Sequence, residues 1–218
     1  HTSPWPKVHM TLRKQRGFSL LELMIVASIA IIMAGISFVA IQPILLRGHV
    51  DTAYATTLQV LRNTRQLAIT QSHEYTVTFD PVASTILVQY QPPSAGGAAL
   101  PPLQTVNTYK IPSDVTFGVR AGFPAATPDN FGTGIAPVDF GQGLGGGSLN
   151  FVTFMPDGSS RDTNHTTSIG NYNSGIVYIT RAAGQITDSR AVTVWGATGR
   201  IRGWALVTTA GVNSWVQR

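Results

Sequence analysis

The chain has 218 residues, with 15 Lys and Arg against 10 Asp and Glu, a formal net charge of +5 at pH 7, and no cysteine. The lack of cysteine excludes a disulfide framework, thiolate metal sites and a cysteine nucleophile. The charge is uneven: Lys7, Arg13, Lys14 and Arg16 lie in an acid-free first segment, and the part after residue 17 carries 11 basic and 10 acidic side chains. The overall balance is therefore no nucleic-acid signature.

Residues 1–16 hold Pro4, Pro6 and scattered polar residues, and read as an unstructured basic leader. At Gly17 the pattern changes. From Phe18 to Ile41 the only ionisable side chain is Glu22. A bilayer span takes roughly 20 apolar residues, so residues 18–41 are long enough to cross one. The basic flank fits a cytoplasmic start, with the bulk of the chain on the other side. A secretory signal peptide fits poorly, because its apolar core is shorter and is cut after, not before, that core. A carboxylate inside such a run costs several kcal/mol unless it is paired or protonated. The best partner for Glu22 is the α-amino group created by cleavage after Gly17, which would begin the chain at Phe18.

The helix is expected to continue to about Gln71, with a kink or local melting near Ile41–Pro43 because proline removes a backbone donor and crowds the preceding turn. Beyond Pro43 the helix becomes amphipathic. Val50, Tyr54, Leu58 and Leu61 fall on a stripe fit to cover a sheet, and Asp51, Gln59, Arg62 and Gln66 face out. From Glu74 the period becomes two. Tyr75–Phe79 and Thr85–Tyr90 read as a hairpin around Asp80-Pro81, followed by short strands at Thr105–Ile111 and Val115–Val119. Pro92–Pro102 reads as a loop, and so does Ala121–Gly147, rich in Gly and Pro. Further strands are expected at Leu149–Phe154, Ile176–Thr180, Ala191–Trp195 and Trp204–Thr208.

The stretch Gly17-Phe18-Ser19-Leu20-Leu21-Glu22, after a basic leader and before an apolar helix, resembles the processing site of type IV prepilins and of the pseudopilins of type II secretion. The segment Leu61–Ala68, the Phe154-Met155-Pro156-Asp157-Gly158 turn and the late Gly199-Arg200-Ile201-Arg202 resemble the H-type pseudopilins and FimT-like minor pilins. The resemblance implies a pilin-like α+β fold: a long N-terminal, partly transmembrane helix over residues 18–71 packed on a C-terminal antiparallel β-sheet domain over 72–218, with residues 1–17 removed. It also implies an inner-membrane prepilin peptidase that cuts after Gly17 and methylates Phe18. Glu22 would register subunits in a filament of other pilin or pseudopilin chains, and the C-terminal domain would be periplasmic. The role implied is that of a structural subunit, not an enzyme, and no cofactor is called for.

Arg200 and Arg202 alternate along an extended strand, so both point to one face, where two planar guanidinium groups could hold phosphates. FimT-like minor pilins of DNA uptake bind DNA through a Gly-Arg-x-Arg motif of this form, which makes DNA the alternative partner. Charge distribution agrees in part. From Arg161 onward six arginines face two aspartates, and from Gln66 to Ser160 two cations face six acids. A solvated strand edge explains the same arginines without a ligand. Gly143–Ser148 lacks the strand–loop–helix setting of a phosphate loop, and His165 stands without nearby metal ligands.

Overall fold

The structure is a computed structural model that describes residues 18–94, 101–142, 148–162 and 172–218, without the side chains of 38–46. Gly17 and the leader, most of the 143–148 glycine run and His165 lie outside the described residues. The chain divides into two units, His1–Ile44 and Leu45–Arg218. Helix α1 spans Leu20–Gln71, and its assignment continues through Pro43, so the local melting expected there is absent. In the first unit, Leu20–Ser37 is apolar and exposed on every side, and is long enough to cross a membrane. Ser28 and Ser37 donate their hydroxyls to the carbonyls of Met24 and Met33, one turn back. Their polarity is thus satisfied within the helix, as an apolar surrounding demands.

The second unit is built from two antiparallel sheets. One is ordered β3 (Gln104–Lys110), β2 (Thr85–Tyr90), β1 (Tyr75–Asp80), β6 (Phe151–Phe154) and β7 (Ser160–Arg161). The other is ordered β11 (Val212–Gln217), β10 (Arg200–Thr209), β9 (Arg190–Trp195), β8 (Ser174–Arg181) and β4 (Val115–Phe117), with β5 (Val138–Gln142) also paired to β8. The later half of α1 buries Val50, Ala53, Thr57, Val60, Leu61, Thr64 and Ala68. These spacings of three and four are one helical face. Tyr54 and Leu58 sit at its margin, partly buried. That face closes a core shared by both sheets: Val77, Phe79, Ile86 and Phe154 from the first, Val177, Ile179, Val192 and Val194 from the second. Phe79 of β1 meets Phe117 of β4 edge-on at 5.4 Å and stacks on Phe140 of β5 at 5.9 Å. Aromatic pairs of this kind add to plain area burial.

Polar contacts fix where the helix enters this unit. Arg47 pairs with Asp188 at 3.3 Å, His49 with Asp114 at 2.8 Å and Asp51 with Arg190 at 2.9 Å. Asp188 also holds Arg181, and both are buried. At the other margin Gly203 of β10 lies under the Tyr54 ring, where any Cβ would overlap the phenol. Burial there raises the Tyr54 pKa.

The expectation of a loop across Ala121–Gly147 needs correction. Strand β5 lies inside it, and Phe140 is fully buried. The alternation Val138-Asp139-Phe140 was masked by the flanking glycines and prolines. Phe123 and Phe131 lie on the outer face of the second sheet, against a satellite cluster of Ile176, Tyr178, Ala191, Trp204 and Trp215. The Tyr178 hydroxyl is buried without a partner among the described residues, and burial, aided by the Asp139 carboxylate, pushes its pKa up. The chain from Trp204 onward is also more ordered than expected, because β10 and β11 form a hairpin in register from Trp204↔Gln217 to Thr209↔Val212.

A stability test separates β5 from a passive loop. Phe140→Ala should cost about 3–5 kcal/mol, the usual range for emptying a buried aromatic site. Ile135→Ala, at a side chain 82% exposed, should change urea unfolding by less than ~0.5 kcal/mol.

Candidate functional site

Two turns and one helix face meet at the start of β10. The Met155–Gly158 turn follows β6, and the Gly196–Gly199 turn joins β9 to β10. Gly158 and Gly199 have φ of +81° and +60°, where residues with a Cβ are disfavoured. A Cβ on Gly199 would overlap the Gly158 carbonyl oxygen and come within 2.6 Å of Arg65 Nε. The motif glycine is therefore a packing requirement. Arg65 fills the junction, with Nε donating to the Gly158 carbonyl at 2.9 Å and Nη2 to the Thr198 carbonyl at 3.2 Å.

This junction borders an open notch of about 430 Å³, lined by Arg62, Arg65, Gln66, Thr198, Gly199, Arg200 and Ile201. Arg62 and Arg65 are neighbours on α1 at a spacing of three. Among the described residues no carboxylate lines the notch. Arg62 and Arg200 are exposed, and their guanidinium groups meet no acid among the described residues. Asp157, in the turn beside Gly158, is already engaged. The Ser159 hydroxyl donates to it at 2.5 Å and Arg161 pairs with it at 3.2 Å. The Ser159 bond, with Arg161 assisting, holds the Asp157 carboxyl below the usual range.

Arg202 is used differently. Its Nη1 meets Asp129 Oδ1 at 2.5 Å, and its guanidinium lies over the Trp195 ring, 5.6 Å from the centroid. The Asp129 side chain is only 4% exposed. Its second oxygen accepts from the Thr193 hydroxyl at 2.6 Å, and that hydroxyl accepts from Trp204 Nε1 at 3.1 Å. Phe131 packs edge-on to Trp195 at 4.9 Å. Arg202 thus fastens the 121–137 segment to the outer face of the second sheet. Asp129 and Arg62 had no signal in the sequence, since each is a single charge in an unremarkable stretch.

At the other candidate site, Phe18 is 79% exposed and precedes the first helical turn. Leu23 N–H donates to the Ser19 carbonyl, and Glu22 lies in that turn with its side chain exposed. Among the described residues no group of three His, Cys, Asp or Glu side chains could hold a metal ion.

The two arginines of the motif should separate by stability. Arg202→Ala leaves the buried Asp129 carboxylate without its cation and should cost roughly 2–3 kcal/mol. Arg200→Ala, at an exposed side chain, should stay within ~0.5 kcal/mol. Thermal melts of the two variants check this.

A family model described as the prokaryotic N-terminal methylation motif matches residues 12–38. A search of curated proteins gave no match. Among solved structures, the type IV minor pilin FimU of Pseudomonas aeruginosa is 13% identical with a TM-score of 0.41, covering 79% of this chain and 97% of that one. The minor pseudopilin EpsH from the Type 2 Secretion System of Vibrio cholerae is 12% identical with a TM-score of 0.41, covering 71% of this chain and 94% of that one. At these scores neither adds to the motif match. Residues 12–38, from the basic flank through Gly17, Phe18 and Glu22 into α1, match the prokaryotic N-terminal methylation motif.

Proposed function

We propose that the chain is a minor pilin or pseudopilin, a structural subunit of a type IV pilus or a type II secretion pseudopilus. The observation that carries this reading is the methylation motif, which coincides with a basic flank, a glycine, a Phe and a lone acid opening an apolar helix. In this reading a prepilin peptidase cuts after Gly17 and methylates Phe18, and the helix holds the chain in the inner membrane until assembly. Glycine suits the cut because, without a Cβ, it lets a protease approach the extended backbone closely. The Glu22 carboxylate then pairs with the Phe18 ammonium, on its own chain or a neighbouring one. Such a charge-assisted pair is strong in an apolar bundle, and losing one partner costs several kcal/mol.

A second reading, contact with DNA during uptake, is supported by the acid-free notch where Arg200 stands beside Arg62. It predicts duplex binding that weakens steeply with salt, because each neutralised phosphate releases counterions.

Coexpression with a prepilin peptidase should shorten the chain by 17 residues and leave N-methyl-Phe18 by mass spectrometry. An uncut chain, or one cut beyond the helix, would remove the subunit reading. Glu22→Ala should still be cut and inserted, yet enter filaments poorly. Normal incorporation of that variant would place registry elsewhere.

A further inference from the structure

We infer that a pocket on the outer face of the second sheet binds one ring of a neutral sugar. The inference rests on neither the subunit reading nor the DNA reading. The pocket, of about 290 Å³, opens between the 124–130 segment and the β10–β11 hairpin. Trp204 and Trp215 line it from the hairpin, and Pro124, Thr127, Pro128 and Asn130 line it from the segment. Its volume sits at the small end of ligand cavities, which suits a single ring rather than a chain.

Both tryptophans are set before a ligand arrives. Trp215 pairs with Leu206 across the hairpin, two residues from Trp204, so the two indoles stand diagonally on one face. Trp204 Nε1 donates to the Thr193 hydroxyl at 3.1 Å. The Trp215 ring meets Phe123 edge-on at 5.2 Å and lies 5.7 Å from the Tyr178 ring. Indoles fixed in this way lose little rotamer freedom on binding. With the two prolines they call for a ligand that has an apolar C–H face.

The polar lining selects the class. The Thr127 hydroxyl and the Asn130 carboxamide make no hydrogen bond among the described residues. Each can both donate and accept, as sugar hydroxyls do. A purely apolar ligand, such as a proline or leucine side chain, would cover these groups without pairing them, at a cost in desolvation. A charged ligand finds no counter-ion. Asp129, the one ionisable side chain in the lining among the described residues, is 4% exposed and is already bound to Arg202 and the Thr193 hydroxyl. Asn213 is likewise spent, donating to the Gly122 carbonyl and accepting from the Thr208 hydroxyl. The ligand that fits is neutral, with hydroxyls at its edge and an apolar face, which is the chemistry of a sugar ring.

The test uses the full chain in a polyoxyethylene detergent, which carries no sugar headgroup. Glucose and methyl β-glucoside are read by saturation-transfer NMR. Both should bind, and a preference between them tells a free sugar from a glycan unit. Trp204→Ala should weaken binding about tenfold, the scale of one anchoring aromatic. Thr127→Val/Asn130→Gly should also weaken it about tenfold, for two neutral hydrogen bonds. Asn130 has φ of +58°, which glycine accepts, and neither side chain is bonded to the rest of the fold, so this variant keeps the pocket built. Thermal melts check that it does. Ile135→Ala, exposed and outside the lining, should stay within about twofold. Failure of both sugars to bind overturns the inference, as does binding that is indifferent to both pocket variants. Glucosamine or glucuronate binding more tightly than the glucoside overturns the neutral class. A prolyl-proline amide that binds while the sugars do not overturns the sugar and makes a peptide the occupant.

Discussion

The apolar face of α1 between Val50 and Ala68 is the constraint on which the folded unit depends. Neither sheet can bury its inner face alone, because each is open on the side the helix covers. A single helix face serves both, so its small residues matter as much as its large ones. Ala53, Thr57, Thr64 and Ala68 are all nearly or fully buried, and they let strands approach closely. Gly203 under Tyr54 and Gly199 against Arg65 are the matching concessions from the sheet side. Larger groups at these positions would push the helix off the core, and interiors at crystal-like density transmit such strain.

Charge is distributed by the same packing. Several arginines of the second unit show two contrasting settings. Arg181, Arg190 and Arg202 are largely buried and each meets an aspartate, which is the condition for burying a cation at tolerable cost. Arg62 and Arg200 are exposed and meet no acid among the described residues, and Arg65 is held by neutral carbonyls. A short basic motif therefore contains one arginine committed to the fold and one that is free.

The N-terminal unit follows a different rule. From Leu20 to Ser37 its apolar residues are exposed around the whole circumference of α1, so they have no internal core to enter. A run of that length and hydropathy is long enough to cross a membrane. In that stretch Ser28 and Ser37 satisfy their polarity within the helix, and Glu22 in its first turn is exposed.

Much of this was legible in the sequence. The apolar run with its single acid, the switch to spacings of three and four after Pro43, and the period-two strands are local patterns. Local patterns follow directly from which face of a helix or strand meets water. Strand β5 was missed because Gly and Pro on both sides hid a three-residue alternation. Of the kink or local melting expected near Ile41–Pro43, the melting is absent, because local propensity is a weak prior within a longer helix. The site was legible only in part. Arg200 and Arg202 look equivalent in a strand of alternating residues, and nothing nearby in sequence distinguishes them. Asp129, 73 residues before Arg202, claims one of them, and Arg62, on the helix, stands beside the other. The sequence by itself determined an apolar helix carrying one acid, followed by a β-rich domain, since these depend on neighbours along the chain. Tertiary structure alone decided which arginine is spent on the fold and which is left exposed, because a charge is neutralised by whatever lies within a few ångströms of it in space.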